Sequence, residues 1–539
     1  FGAMAEVGKR KRDDEPTNDE EIARLVDAAP EAEVLDATSL RRRVAIFERR
    51  ITKNQQMRLK HPDDPERFLD SEVELHEEVG RLHILATAPE LYPDFVKLNG
   101  AASVVGLLMH ENTDVAIAAV DLVQELTEAD TIVETEEAIQ LVDALVELHM
   151  VELLVDNLQR LDESSDEDAK GVYNTLAILE NLAEVKPTAC VLAMQKTPLI
   201  KWMFKRLAVK EINENRVYCS EVLSILAQAA PEIQEIVAAD GGIDNLLGLV
   251  AAYKRRDPTG EEEKEFVENL FNVICSCLLL PKNQEIFLVG EGVELMLLLQ
   301  KHRKYAARNA IKTLDYALSN HAEACDRFVE HLGLKTLFPA FMKPSGITKV
   351  KNKEANKQDD EEHLISILFS LFKSLTGEAR FRLYNKFSEA GMEKVERLLE
   401  LRRNYAKRVA TCDQKLVSQG DEMDEDSDEE DGNPEERRYL QRLEAGLLAL
   451  QQLDCITCLL YTGPAEAKDK IDHVVSAKGD DLSTFVKNLQ DMGATLRQEG
   501  EATARSLVLF VCDHTEHHEP HHTAPHSPPC TTLHHWVVT

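Results

Sequence analysis

Carboxylate and amide side chains recur at one edge of several helices that the sequence predicts. In HENTDVAIAAVDLVQELTEAD, residues 110–130, a step of about 100° per residue aligns Leu122 with Leu126 and gathers Asp121 and Glu125 on the other side. Carboxylates can pair with Lys or Arg side chains of an extended peptide, and Asn amides can bond its backbone. The partner-binding candidates on successive helices are Asp121, Glu125, Glu180, Asn181, Glu221, Asn269, Asn272 and Asp315. This row predicts an acidic groove for basic segments, and a merely solvated helix face is the alternative.

Two other patterns match chemical motifs only in their letters. His518 to His522 reads H-E-x-x-H, but Pro520 in a His- and Pro-rich tract prevents the helix that would aim both histidines at one zinc ion. Cys455 and Cys458 match C-x-x-C, but within LDCITCLLY we expect them in a helix core. The sequence contains no phosphate-binding G-x-x-x-x-G-K-[ST] motif. We therefore predict that the protein is not an enzyme and uses no metal or cofactor.

The composition narrows the class of protein. The chain has 539 residues and a net charge of −35, which argues against direct binding to nucleic acid, because phosphate binding requires clustered Lys and Arg. Basic proteins or peptides are the natural partners of such a chain. The 23 Gly and 19 Pro are few for this length, and aromatic residues make up 5%, which favours helices over an all-β fold. No run reaches the ~18 to 20 apolar residues of a membrane span, so we expect no membrane contact.

Short helix starts recur along the chain and predict a repeat. Seven of them, near positions 100, 150, 198, 242, 292, 333 and 391, read NGAASVVGLL, HMVELLVDNL, TPLIKWMFKRL, GGIDNLLGLV, EGVELMLLLQ, LGLKTLFPAFM and GMEKVERLLEL. Most of the steps fit armadillo and HEAT units of roughly 40 to 47 residues, and the longest step contains the polar insertion KPSGITKVKNKEANKQDDEE. Each start leads to a second, longer helix, and only stacked units can bury the apolar sides of both. We therefore predict an all-α fold, an armadillo/HEAT-type α-solenoid (a superhelical stack of helical repeats) with disordered termini.

The repeats and the charged tracts divide the chain into six predicted parts. These are a disordered N-terminal tail at 1–36, an N-terminal helical cap at 37–97, armadillo-like repeats at 98–410, an acidic disordered linker at 411–436, C-terminal helices at 437–512 and a His/Pro-rich disordered tail at 513–539. The first tail contains a basic tetrad with the form of a nuclear-import signal. Its residues are Lys9, Arg10, Lys11 and Arg12. A solubilising charged tail is the alternative.

Two serines are followed by acidic residues and are candidates for phosphorylation. Ser165 lies in ESSDED, and Ser427 lies in the linker segment DEMDEDSDEED. A phosphate would add about −1.5 to −2 charges at pH 7 to either site. Plain solvation of both tracts is the alternative interpretation.

An ordered series of long stretches between about residues 44 and 460 resembles one known family. They include FERRITKNQQMRLKHPDDPERFLDSEVEL, HENTDVAIAAVDLVQELTEAD, LDESSDEDAKGVYNTLAILENLAE, VENLFNVICSCLLLPKNQEIFLVGEGVELM and RLYNKFSEAGMEKVERLLEL. The sequence is similar here to the beta-catenin-like protein 1 family, nuclear armadillo-repeat proteins of the spliceosome. The resemblance implies a non-enzymatic splicing scaffold in the nucleus that joins the Prp-nineteen complex through the basic localisation-type segment of its Myb-like subunit. It also implies binding to basic segments of other splicing factors, a tri-snRNP assembly factor among them.

The two ends of the chain depart from the family pattern. The match fades beyond about residue 464, which leaves open whether two copies associate as a homodimer through C-terminal helices. Two other kinds of armadillo protein are alternatives. A karyopherin-alpha-like transport adaptor would carry regular Trp and Asn pairs, whereas this chain has only Trp202 and Trp536. A catenin-like signalling adaptor would have a basic groove, whereas the helices here are acidic.

Overall fold

The structure, a computed structural model, describes residues 35–128, 135–349, 357–419 and 434–479, together with residues 484, 485 and 488. The described residues form α-helices and short 3-10 helices, without a β-strand among them, which confirms the predicted all-α repeat class. The α-helices are α1 Ala37–Lys60, α2 Leu69–Arg81, α3 Tyr92–Lys97, α4 Gly100–Leu107, α5 Thr113–Leu126, α6 Glu136–Glu147, α7 Met150–Leu158, α8 Asp166–Val185, α9 Pro187–Lys196, α10 Leu199–Leu207, α11 Glu214–Ala229, α12 Pro231–Ala238, α13 Gly242–Ala251, α14 Gly260–Cys277, α15 Pro281–Val289, α16 Gly292–His302, α17 Ala307–Leu318, α18 Ala322–Glu330, α19 Gly333–Met342, α20 Lys357–Ser374, α21 Gly377–Ser388, α22 Glu393–Gln419, α23 Pro434–Glu444, α24 Leu447–Tyr461 and α25 Ala465–Lys478. The 3-10 helices are Pro65–Arg67, Leu82–Thr87, Pro89–Leu91, Ala252–Lys254, Pro344–Gly346 and Ala390–Met392.

The chain forms two compact units, and the first is Phe1–Asn181. Its described part begins with a capping box, in which the Asp36 carboxylate accepts from the Ser39 backbone N–H at 2.6 Å and the Ser39 hydroxyl accepts from the Asp36 backbone N–H at 2.9 Å. Helix α1 packs on α2, and α2 packs on α5. Two three-helix repeats follow, formed by α3, α4 and α5 and then by α6, α7 and the part of α8 that belongs to this unit.

The second unit, Leu182–Thr539, contains four further three-helix repeats. They are α9 to α11, α12 to α14, α15 to α17 and α18 to α20. Three of the first helices begin with proline: Pro187, Pro231 and Pro281. Backbone N–H groups in the first turn of a helix have no acceptor within that helix, so the N–H that proline lacks costs no hydrogen bond there. The proline ring also prevents the preceding helix from continuing. The long third helices α11, α14, α17 and α20 pack side by side in chain order, and α24 packs against α20. This row of third helices runs through the core of the second unit.

A left-handed residue precedes the second helix in most repeats. The residues are Asn99 (φ 62°), His149 (φ 62°), Gly241 (φ 84°), Glu291 (φ 58°) and Leu332 (φ 64°). A glycine often follows, because the first helix packs directly on it. A Cβ atom on Gly292 would lie 2.5 Å from the Phe287 ring, and one on Gly333 would lie 2.5 Å from the Phe328 ring. The recurring helix starts in the sequence are therefore the signature of a tight turn between the first and second helices.

Several boundaries differ from the expectations above. The repeats have three helices rather than two, because the short first helices α9, α12, α15 and α18 precede the recurring starts. Helix α3 already belongs to a repeat, within the range 37–97 that we predicted as a cap. Helix α20 begins inside the predicted insertion, at Lys357. Helix α22 continues to Gln419 and α23 begins at Pro434, so helices occupy both ends of the predicted linker 411–436.

Among the described residues, no single helix is long and apolar enough to cross a membrane. Two pairs of consecutive helices, each pair bent at a short break, are long and apolar enough only when both helices are counted together. They are Pro231–Ala238 with Gly242–Lys254, and Arg437–Glu444 with Leu447–Tyr461.

Candidate functional site

The segment that carries the first predicted carboxylates is a capped and largely buried helix. The Asn112 side chain accepts from the Asp114 backbone N–H at 2.9 Å and so begins α5. Leu122 and Leu126 are buried, as predicted from their spacing. Asp121 lies on the opposite edge with 31% of its side chain exposed. The local sequence therefore places this carboxylate at the boundary between core and solvent.

In the first unit, both predicted carboxylates of α5 bond to residues about one repeat away in the chain. Asp121 accepts from Lys170 Nζ at 3.1 Å and from Asn174 Nδ2 at 2.7 Å, and both donors lie on α8. Glu125 pairs with His83, from the 3-10 helix Leu82–Thr87. The expected stripe of solvated carboxylates is thus half-buried, because neighbouring repeats reach across to it.

The second unit repeats this arrangement along its third helices. Asn269 Nδ2 on α14 donates to Ser220 Oγ on α11 at 3.2 Å. Asn272 Oδ1 accepts from Lys312 Nζ on α17 at 3.1 Å. Asp315 Oδ2 on α17 lies 2.9 Å from His363 Nδ1 on α20. Each contact spans 40 to 49 residues, about one repeat.

The remaining candidates of the row lie at comparable depth. Glu180 and Asn181 on α8 and Glu221 on α11 are half-buried. We call the eight predicted residues the polar row; four of them belong to each unit. It offers hydrogen-bond acceptors and amides at spacings set by the repeat. Five of its members are held on one side by the protein itself: Asp121, Glu125, Asn269, Asn272 and Asp315.

Sequence reasoning missed the residues that bond to the polar row. These are His83, Lys170, Asn174, Ser220, Lys312 and His363. Each is separated from its partner by 40 to 53 residues, so a search for complementary polar residues one repeat apart could have identified them. Such a search requires knowing which residues of successive repeats lie side by side, and the sequence of a single helix does not show this.

The other predicted sites have simpler surroundings. Ser165 precedes α8 and acts in its capping: its hydroxyl accepts from the Asp168 backbone N–H at 3.4 Å and donates to Glu167 at 2.9 Å. Cys455 is buried inside α24, as expected, and burial raises the pKa of its thiol well above the ordinary value. The thiol therefore stays protonated at neutral pH. The basic tetrad at 9–12, Ser427, Trp536 and the H-E-x-x-H letters at 518–522 lie outside the described residues.

The chain is similar to one known family over most of its length. The family model described as "Catenin-beta-like, Arm-motif containing nuclear" matches residues 20–490. The chain is 43% identical over 453 residues to Beta-catenin-like protein 1 of Homo sapiens, covering 83% of this chain and 80% of that protein. It is 33% identical over 474 residues to the Beta-catenin-like protein 1 homolog of Schizosaccharomyces pombe, covering 86% of this chain and 80% of the homolog. An engineered protein of known crystal structure superposes with a TM-score of 0.49 at 14% identity, over 86% of this chain and 98% of that one. On the strength of the family model and these relatives, the chain belongs to the catenin-beta-like family of nuclear Arm-motif proteins.

Proposed function

We propose that this protein is a non-enzymatic nuclear scaffold of pre-mRNA splicing that uses its polar row to bind basic, nuclear-localisation-type segments of partner proteins. The partners are splicing factors, including the Myb-like subunit of the Prp-nineteen complex and a tri-snRNP assembly factor. The family description, which includes the word nuclear, supports the location. The net charge of −35 supports basic rather than acidic or nucleic-acid partners.

The observation that carries the proposal is the way Asp121 is held. Lys170 and Asn174 orient its carboxylate, yet 31% of the side chain stays exposed to an incoming Lys or Arg. A carboxylate fixed in advance loses little side-chain freedom when it pairs. Lys170 also neutralises part of its charge, so one such contact is weak. We therefore expect binding to depend on several row positions together and to be sensitive to salt.

The test is fluorescence anisotropy with a labelled synthetic peptide that carries two Lys/Arg clusters. The variant combines Asp121→Asn with Glu180→Gln, which removes two charges while both side chains still form hydrogen bonds. A reversal to lysine is avoided, because it would place a second cation beside Lys170. Exposed ionic contacts are worth about 0.2 to 1 kcal/mol each, and 1.4 kcal/mol is tenfold in affinity. We expect binding about threefold to tenfold weaker at 0.1 M salt.

The matched control combines Glu136→Gln with Glu147→Gln on α6, which removes the same charge from exposed positions away from the row. This control should bind the peptide within about twofold of wild type. Raising the salt to 1 M shortens the screening length from about 10 Å to about 3 Å and should weaken binding by the unaltered protein. Equal binding by both double variants would refute the role of the polar row. A pull-down from nuclear extract with wild type and the row variant should show loss of Prp-nineteen subunits from the variant alone.

A further inference from the structure

A cavity of about 670 Å³ lies in the second unit between α16, α19 and the segment that follows α19. Its volume falls within the roughly 300 to 1,000 Å³ of protein ligand sites. The residues of the polar row do not line it. It is therefore a site separate from the surface of the proposed function.

The floor of this cavity is apolar and its rim carries exposed leucines. Leu297, Ile311 and Ile347 are buried beneath it. Leu298 on α16 is 40% exposed and Leu332 before α19 is 65% exposed. Two leucines open to solvent beside a buried apolar floor favour a ligand with large apolar side chains.

The charge of the cavity is opposite to that of the chain. Among the described residues, four cations line it: Lys301, Arg303, Lys335 and Lys343. All four are exposed, and none has an ion pair or side-chain hydrogen bond with another described residue. Among the described lining residues, the one carboxylate is that of Glu294, whose Oε1 already pairs with Arg327 at 3.0 Å and His331 at 3.4 Å. In a chain of net charge −35, this is a local cationic site with its cations available.

The cations are spread along the cavity rather than gathered at one point. Lys301 and Arg303 lie at the end of α16, Lys335 lies in the first turn of α19, and Lys343 follows its last turn. Lys335 and Lys343 are eight positions apart, which at 1.5 Å per helical residue is about 12 Å. This spread suits an extended chain with several carboxylates better than one small anion.

The residue at position 332 is unusual among the repeats. The same left-handed step is occupied by Asn99, His149, Gly241 and Glu291 in four preceding repeats, which are polar residues or glycine. Leucine is poorly suited both to a left-handed backbone and to solvent exposure. Fold alone does not require Leu332, and its position at the rim provides a reason for it.

We propose that this cavity binds a short acidic segment of a partner protein in which large apolar side chains alternate with carboxylates. The apolar side chains would pack on Leu298, Leu332 and the floor, while carboxylates pair with Lys335 and Lys343 at the two ends of α19. The protein would then carry two recognition surfaces of opposite charge. One would take basic segments on the polar row, and the other would take acidic-apolar segments in the cavity.

The test uses the full chain and a labelled probe peptide, Gly-Ser-Asp-Asp-Leu-Phe-Asp-Asp-Leu-Glu-Gly-Ser, in fluorescence anisotropy. Lys335→Glu combined with Lys343→Glu should weaken binding at least tenfold. The control Lys201→Glu changes an exposed lysine on α10, outside the cavity, and should alter binding less than twofold. Leu332→Asn should weaken binding of the probe at least threefold. It should leave the midpoint temperature of unfolding unchanged or raise it, because asparagine tolerates the left-handed backbone. All these variants should bind the basic peptide as wild type does, so this proposal and the previous one can fail independently.

Three results would overturn the assignment. The first is binding of a comparison peptide, with serine in place of its Leu and Phe residues, within twofold of the probe, since charge alone would then explain binding. The second is an equal loss of affinity in Lys201→Glu and in the double variant. The third is that the probe does not bind, whereas vesicles of phosphatidylcholine and phosphatidylserine bind and lose that binding when Lys335 is changed. The cavity would then be a membrane contact.

Discussion

Arg402 Nε donates to Asp454 Oδ1 over 2.7 Å, with 7% and 0% of the two side chains exposed. The pair joins α22 to α24 in the second unit. Two further polar atoms of the pair are also bonded, since Arg402 Nη2 donates to Thr484 Oγ1 at 3.1 Å and Asn488 Nδ2 donates to Asp454 Oδ2 at 2.8 Å. The guanidinium also lies 3.6 Å from the centre of the Phe485 ring. This buried network therefore ties the last described residues to the repeats.

Removing one member of this pair should be more damaging than removing both. Asp454→Ala leaves a buried guanidinium without its charge partner and should lower the free energy of unfolding by about 3 to 5 kcal/mol. The double variant Arg402→Met with Asp454→Leu replaces the pair by apolar groups and should recover most of that loss. Urea denaturation followed by circular dichroism measures both. A double variant as unstable as Asp454→Ala would show that the network is not acting as an ion pair.

His110 should make the first unit sensitive to mild acid. Its Nδ1 accepts from the Asn112 backbone N–H at 3.1 Å and its Nε2 lies 3.1 Å from Asn54 Oδ1, an arrangement that suits the neutral ring. Burial lowers the pKa of His110 below its ordinary 6.5. Between the lowered value and 6.5 the unfolded chain binds more protons, so stability is complete above about pH 6.5 and falls as the pH drops below it.

The variant His110→Gln isolates this contribution from the other histidines. Its amide can still donate to Asn54 but does not titrate. We expect the free energy of unfolding of the variant to fall less than that of wild type between pH 7.5 and pH 5.5, measured by denaturant titration at each pH. Parallel curves for the two proteins would contradict a neutral, half-buried His110.

Gly292 should tolerate no side chain. The Cβ atom of Gly292→Ala would meet the Phe287 ring at 2.5 Å, so we expect a loss of about 1 to 3 kcal/mol from overpacking. Gly248→Ala is the matched control, because it lies inside α13 with no atom within 4 Å of the new methyl group. Alanine should stabilise that position by about 0.5 to 1 kcal/mol. Opposite signs in urea denaturation are the expected outcome, and equal changes would mean that the turn can widen.

The basic tetrad should direct the protein to the nucleus. Replacing Lys9, Arg10, Lys11 and Arg12 together with alanine should shift a fluorescent fusion toward the cytoplasm in living cells. Replacing the neighbouring Asp13, Asp14 and Glu15 with alanine is a control that alters charge but keeps the tetrad. If the tetrad variant still accumulated in the nucleus, import on a bound partner would be the better explanation.

The sequence predicted much of the fold because its strongest signals are local. The burial of Leu122 and Leu126 depends only on the spacing of residues within one helix, and it is confirmed. The short first helices were missed, since eight to ten residues contain too few turns to show a helical period. Proline at the first position of three of these helices was the available sign.

The environment of the polar row could be predicted only in part. Spacing placed Asp121 and Glu125 at a helix edge, and both lie there. It could not show that Lys170 and His83 reach them, because those contacts join residues 49 and 42 positions apart. The stacking of repeats determines whether a carboxylate is solvated or paired, and that stacking is known only from the three-dimensional structure. The binding role of the row stays a prediction.

The spacing of the polar contacts also has a consequence for synthesis on the ribosome. Asp121 can contact Lys170 only after a further repeat has emerged from the exit tunnel. The contact of Asp315 with His363 likewise forms only after the next repeat has emerged. At about 5 to 20 residues per second, some fifty residues take about 3 to 10 seconds. At these two stages the growing chain ends in a repeat whose carboxylate still lacks its bond to the next repeat. The nascent protein would expose this incomplete edge to chaperones, and the edge would advance one repeat at a time until translation ends.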